Sequence, residues 1–169
     1  PVLDREELYE TILLKSSELV GAERGSLMIL DNKNNLLSIK AVRGMDKSLA
    51  DGLRVKVGEG ISGAIAAKGV PVMVKDIEDE VPSWKNRPRY RTKSFISIPL
   101  KLESRVIGVI NVSDKLSGGT FSEEDLHLLL SFANYASIAI ERGAYYSMSE
   151  ELKTLSMTDP LTGLFNRRY

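Results

Sequence analysis

Three clusters of side chains in this sequence have the types and spacing to do chemistry. Gly58, Gly60 and Gly63 surround Ile61 and Ser62 and run into an Ala-rich stretch, the kind of glycine spacing that cradles phosphates. A phosphate loop also needs a lysine and a hydroxyl at fixed positions, GxxxxGK[ST], and none follows here. A strand-to-helix turn that requires positive φ is the better account of these glycines. Trp84, Arg87, Arg89, Tyr90 and Arg91 place aromatic faces next to cations in a proline-punctuated segment. That combination suits an anionic or planar ligand through stacking and charge-assisted hydrogen bonds. The bland alternative is a solvated lid whose long side chains lie along the surface.

Classical nucleophilic catalysis finds little support. The chain has no cysteine, which excludes Cys-His chemistry, and any Ser-His-Asp scheme would have to run through its one histidine, His127. No G-x-S-x-G elbow is present. The paired acids Glu78–Glu80 and Glu123–Asp125 fall in a polar loop and at a helix start, where solvation and capping explain them. His127 sits on a helix pattern, where a lone histidine is more often surface or packing than a metal ligand.

Composition narrows the class further. Among 169 residues, Lys+Arg and Asp+Glu number 23 each, so no bulk charge recommends nucleic acid or an anionic membrane as partner. A 43% hydrophobic content is ordinary for a globular domain with a proper core. Absence of cysteine excludes disulfides and thiolate metal sites and fits a reducing compartment. The apolar runs fall far short of the roughly 20 residues a membrane span needs. We therefore expect a cytoplasmic domain, without metal or cofactor. A chain opening on Pro1 rather than Met is expected to continue upstream.

The elements that must position these residues follow from periodicity. Leu8, Ile12, Leu13, Leu19 and Val20 recur at helical intervals, with Asp4 as N-cap and Gly21 as terminator. "GSLMILD" and "LLSIKAVRG" flank the polar turn "NKNN" as a hairpin. Ile61–Lys68 predicts a short helix closed by Gly69, and "VPVMVKD" a short strand. Residues 77–93 carry too many prolines and charges for a regular strand. "SFISIPLKL" and "RVIGVINVSD" predict two strands around Glu103–Ser104, the second apolar enough to be central. A last helix starts at Ser122, with Asp125 completing a short capping box, and runs from Glu123 to about Met157. Tyr145, Met148, Leu152 and Leu155, spaced 3, 4 and 3 on it, predict a coiled-coil seam that a second copy would cover. The order is helix, two strands, short helix, strand, irregular loop, two strands, long helix: an α+β domain built on an antiparallel sheet.

The segments "AERGSLMILD", "VGEGISGAIAAKGVPVMVKD", "SFISIPLKLESRVIGVINVSDK" and "FSEEDLHLLLSFANYASIAIE" resemble, in order and spacing, a GAF domain across roughly Asp4 to Arg142. The resemblance implies a central antiparallel sheet with the long terminal helices on one face and a small-molecule pocket on the other. On that resemblance the ligand-facing residues are expected to be Arg43, Ile61, Ser62, Trp84, Tyr90, Arg91, Thr92, Ser97 and Asn111. Cyclic-nucleotide-binding GAF domains carry Asn-Lys…Phe-x-x-x-Asp-Glu; the matching residues here are Asp114, Lys115, Phe121, Asp125 and Leu126. The two departures, Asp114 and Leu126, argue against cyclic AMP or GMP, while Lys115 and Asp125 are still placed to form a salt bridge.

"TDPLTGLFNRR", Thr158 to Arg168, resembles the opening of GGDEF domains, the diguanylate cyclases. The resemblance implies residues 1–142 as a sensor, 143–157 as a signalling helix, and 158–169 as the start of a cyclase domain whose Mg²⁺ and GTP sites lie downstream. The expected function is regulatory: a ligand-sensing, dimerising domain that controls cyclic di-GMP synthesis. A pure dimerisation module and a cyclic-nucleotide-binding domain are the alternatives.

Overall fold

A computed structural model describes residues 4–76 and 94–156, with side chains as far as Gly143. The first helix, α1 (Arg5–Val20), begins where Asp4 accepts a hydrogen bond from the Glu6 amide at 2.7 Å. It ends at Gly21, whose left-handed φ of 64° lets its N–H reach back to Glu18 and Ser17. Its buried positions Tyr9, Ile12, Leu13, Ser16, Ser17 and Val20 make one helical stripe.

The chain then builds β1 (Ala22–Asp31), β2 (Leu36–Arg43), the one-turn helix α2 (Lys47–Ala50) and β3 (Arg54–Lys56). Helix α3 (Gly60–Lys68), β4 (Val72–Val74), β5 (Phe95–Leu102), β6 (Arg105–Lys115) and the long α4 (Glu123–Ser156) follow. The strands form one antiparallel sheet ordered β3-β2-β1-β6-β5-β4. The expected helices, hairpin and strands are present, and β6 is central as its apolar run required. Periodicity missed α2 and β3, which add one turn and one edge strand between Gly44 and Gly58.

Each face of the sheet carries its own core. On one side Leu27, Ala41, Ile96, Ile98, Leu100, Ile110 and Val112 pack with Leu13 of α1 and Leu129, Ala133 and Ala136 of α4. Small residues let the two helices lie close to the sheet and to each other, and a Cβ on Gly143 would meet Leu8 at 3.1 Å. On the other side Met28, Leu37 and Val109 pack beneath Ile65 and Ala66 of α3. Alternation along β1 sends Leu27 to the terminal helices and Met28 to α3.

Two register shifts interrupt this alternation, between Leu27 and Met28 in the β1–β2 ladder and between Leu100 and Lys101 in the β5–β6 ladder. Opposite the first, Met28 pairs with Ile39 but Leu27 with Ala41, so Lys40 is the extra residue of a bulge. Beyond it, β2 presents the opposite parity of side chains to each face.

Candidate functional site

On the α3 side of the sheet, three neighbouring strands place polar residues in one cross-strand row. Ser26 of β1 pairs with Asn111 of β6, and Asn111 pairs with Ser97 of β5. The Asn111 amide donates from Nδ2 to Ser26 Oγ at 3.2 Å and to Ser62 Oγ at 3.0 Å. Its Oδ1 accepts the Ser97 hydroxyl at 2.6 Å. Both amide protons and the carbonyl are thereby engaged, while Ser26 and Ser62 act as acceptors and each keeps a hydroxyl proton to donate. Ser97 is fully buried, whereas Ser26, Ser62 and Asn111 are half-buried. The row can therefore offer donors to a ligand from its open end.

Local sequence explains why Ser62 arrives there. Gly58 and Gly60 adopt φ of 95° and 64°, and the Gly58 amide donates to the Gly63 carbonyl at 2.7 Å. Gly63 has ordinary φ, but a Cβ on it would collide with the Lys56 carbonyl. Two of the three glycines thus serve backbone conformation and the third serves close packing. The Glu59 side chain makes no capping bond at the start of α3. The first-turn amides, Ile61 and Ser62 among them, remain the sort of donors that bind a ligand acceptor.

Sequence reasoning grouped Ser62, Ser97 and Asn111, and the fold brings those three into one network. Ser26 was missed; its only signal is parity with Met28, two residues along the same strand. Ile61 begins α3, half-buried beside Ser62. Arg43 is not brought to the row. It pairs with Gly25, whose Cβ direction points at Leu13 and Ser17, and it lies two residues beyond Ala41 of the terminal-helix core. Its Nε is buried there without a hydrogen-bond partner among the described residues. Trp84, Tyr90, Arg91 and Thr92 lie outside the described residues. Tyr145, Met148, Leu152 and Leu155 fall on the part of α4 whose side chains are likewise outside them.

The far end of β6 is clamped to α4. Lys115 Nζ meets Asp125 Oδ2 at 2.6 Å and sits 5.6 Å from the centre of the Phe121 ring. The Ser122 amide donates to the same carboxylate oxygen at 2.9 Å, and the Asp125 amide returns a bond to Ser122 Oγ at 3.2 Å. The expected capping box and salt bridge are thus one structure. Burial would raise the Asp125 carboxyl, but hydrogen bonds from Lys115 and Ser122 outweigh it and hold it below the usual carboxylate range. Asp114 does not stand as a free substitute for asparagine: its buried carboxylate lies 3.0 Å from Arg24 Nε.

The short helix α3 over a polar row on one face, terminal helices on the other and a six-stranded antiparallel sheet between them make a recognisable arrangement. The family model described as GAF domain matches residues 2–141. The chain belongs to the GAF family.

The GAF domain of an Acinetobacter phosphoenolpyruvate-protein phosphotransferase superposes with a TM-score of 0.72 at 17% identity, covering 86% of this chain and 87% of that one. GAF-B of DevS from Mycobacterium smegmatis gives 0.68 at 17% identity, over 86% and 99%. These likenesses establish the fold. Among curated proteins, a dual 3',5'-cyclic-AMP and -GMP phosphodiesterase 11 from Drosophila melanogaster is 30% identical over 88% of this GAF chain and 11% of its own length. A Nif-specific regulatory protein from Azospirillum lipoferum is 27% identical over 78% of this chain and 22% of its own length. This GAF domain thus spans about a tenth and a fifth of those two relatives. GAF domains are regulatory, ligand-sensing modules of signalling proteins, and this chain is one of them. Among the described residues no helix is long and apolar enough to cross a membrane.

Proposed function

We propose that this GAF domain senses a small polar molecule over the Ser26–Asn111–Ser97 row and controls a C-terminal diguanylate cyclase through α4. The observation that carries the sensing half is the Asn111 network, which joins α3, β1, β5 and β6 through one side chain. A ligand that takes the protons of both Ser26 and Ser62 would bridge β1 and α3 and so bias the position of α3 against the sheet. Asn111 stands four residues before Lys115, so a change in β6 would reach the clamp at the start of α4. The ligand proposed is neutral and rich in acceptors where it meets the row, with Trp84, Tyr90 and Arg91 supplied by the segment between Asp76 and Ser94. The output half rests on the resemblance of Thr158–Arg168 to the opening of GGDEF domains.

Dimerisation is the proposed means of transmission. Leu128, Tyr135 and Ile138 of α4 and Leu19 of α1 are exposed, Tyr135 at 74%. A second copy covering them would extend the seam read from Tyr145, Met148, Leu152 and Leu155. Cyclases of this family need two catalytic domains to meet over two GTP molecules, so dimer geometry is an effective control variable.

The test uses the protein in which this chain continues into the cyclase domain. Cyclic di-GMP formation from GTP is expected to change when Ser26 and Ser62 are both replaced by alanine, and to fall with Leu152→Glu. Absence of cyclic di-GMP formation under any condition would overturn the assigned output. A pure dimerisation role is favoured by one observation, that Asn111 is already satisfied by protein hydroxyls. It would be supported if mass spectrometry of the natively purified domain found no retained molecule and a nucleotide and metabolite panel gave no thermal shift.

A further inference from the structure

At the opposite end of α3 from Ser62, about 9 Å along the helix axis at 1.5 Å per residue, the surface opens into a cleft. Its volume is about 320 Å³, within the size range of small-molecule sites. Three elements meet there: the β1–β2 turn, the C-terminus of α3 and the β5–β6 turn. Its charged lining is Lys68, Lys101 and Arg105, with no acidic residue among the lining side chains.

These cations are held close by the backbone. Lys101 lies over Gly69, where a Cβ would meet its Cε at 2.8 Å and its Nζ at 3.1 Å. Gly69 itself is fixed in the left-handed region as the C-cap of α3. The partial negative charge at the C-terminus of α3 answers some of the charge on Lys68 and Lys101. Among the described residues Arg105 pairs with Glu141 at 4.0 Å, both side chains 57% exposed, a pair that solvent screens. Asp31, next to the cleft residue Asn32, is turned to its own turn: it accepts from the Lys33 amide at 2.9 Å and from Asn34 at 2.8 Å.

Leu30, Val57 and Val106 add apolar side chains to a lining that is otherwise mostly polar. Asn32 and Asn35 add neutral hydrogen-bonding groups at the rim. A guanidinium fork and two ammonium groups beside a few apolar side chains match an oxyanion attached to a small organic body.

We propose that this cleft is a second ligand site of the domain, specific for a small phosphate monoester, and separate from the Asn111 row. The proposal does not depend on the identity of the output domain or on what binds the row. Phenyl phosphate is the probe, titrated into the uniformly ¹⁵N-labelled chain. Saturable amide shifts are expected at Asn32, Asn35, Gly69 and Ser104, and the dissociation constant should rise about tenfold or more in K101Q/R105Q. These two side chains are exposed, and an unchanged pattern of the remaining amide peaks verifies that the variant is folded. K68Q, tested singly, is expected to weaken binding less, since the α3 C-terminus already answers part of its charge. Benzyl alcohol, which shares the ring but lacks the charge, is expected to leave the same amides unmoved. The proposal fails if phenyl phosphate gives no saturable shift, if K101Q/R105Q binds it as tightly as the parent, or if benzyl alcohol binds equally well. It also fails if the shifts centre on Ser62 and Asn111 in place of the cleft.

Discussion

Lys115 and Asp125 meet at 2.6 Å across the connection between the central strand and the long terminal helix, with 22% and 13% of their side chains exposed. Among the described residues this ion pair ties β6 to the start of α4, and its carboxylate also caps the helix. Asp125→Asn removes the charge and should destabilise the domain by about 2 kcal/mol. Urea denaturation of parent and variant, read by circular dichroism, measures it. A midpoint that does not move would mean the clamp is energetically idle.

The same carboxylate sets an acid limb. Its folded-state pKa lies below the usual value, so its stabilisation is present above the ordinary aspartate pKa, near 4, and is lost as pH falls through the folded value. The parent should lose more stability than Asp125→Asn between neutral pH and pH 3. Asp31 and Asp46, held low chiefly by the Lys33 and Ser48 amides, titrate in the same direction in both proteins and should cancel in the comparison.

Replacing Asn111 by leucine strands three hydroxyls, of which Ser97 is fully buried. A loss of about 2–3 kcal/mol is expected, larger than for Ser26→Ala, which removes one bond at the half-buried end. Chemical denaturation of the two variants side by side gives the ranking; equal costs would contradict a network centred on Asn111.

Gly63 and Gly119 make a matched pair. Alanine at 63 puts a methyl against the Lys56 carbonyl, whereas at 119 the nearest atom is Ser117 Oγ at 3.6 Å. Gly63→Ala should cost more than about 2 kcal/mol, and Gly119→Ala should stay within about 0.5 kcal/mol. Thermal melts of both are sufficient.

Exposed apolar residues on α4 give a test of association. If α4 carries the proposed dimer, the parent should sediment as a dimer, and Tyr135→Glu with Ile138→Glu should sediment as a monomer with an unchanged circular dichroism spectrum. A parent that sediments as a monomer at high concentration would contradict the dimer.

Much of this architecture was legible because the signals are local. Asp4, Gly21 and Gly69 act within a turn of where they stand, and Ser122 and Asp125 are three residues apart. The elements missed, α2 and β3, have four and three residues, too short for any period to register. Arg43 lies apart from the Asn111 row for another reason. Side-chain parity along β2 is reset by the extra residue at Lys40, and a bulge is invisible until both strands of the ladder are known. Ser26 escaped because its role is created by Asn111, 85 positions away in the chain. Its hydroxyl belongs to no motif.

Ser94 is bonded to both sides of one junction. Its hydroxyl donates to the Val74 carbonyl at 3.0 Å and accepts from the Phe121 amide at 3.1 Å, so β4, β5 and the entry to α4 share a single clasp. The polypeptide between Asp76 and Ser94 therefore leaves and returns at points the fold has already fixed. Both bonds of the clasp are made by residues outside that stretch, so substitutions within it leave the donor and the acceptors in place. Selection can thus edit that stretch of sequence while the clasp keeps the inheritance of the scaffold intact.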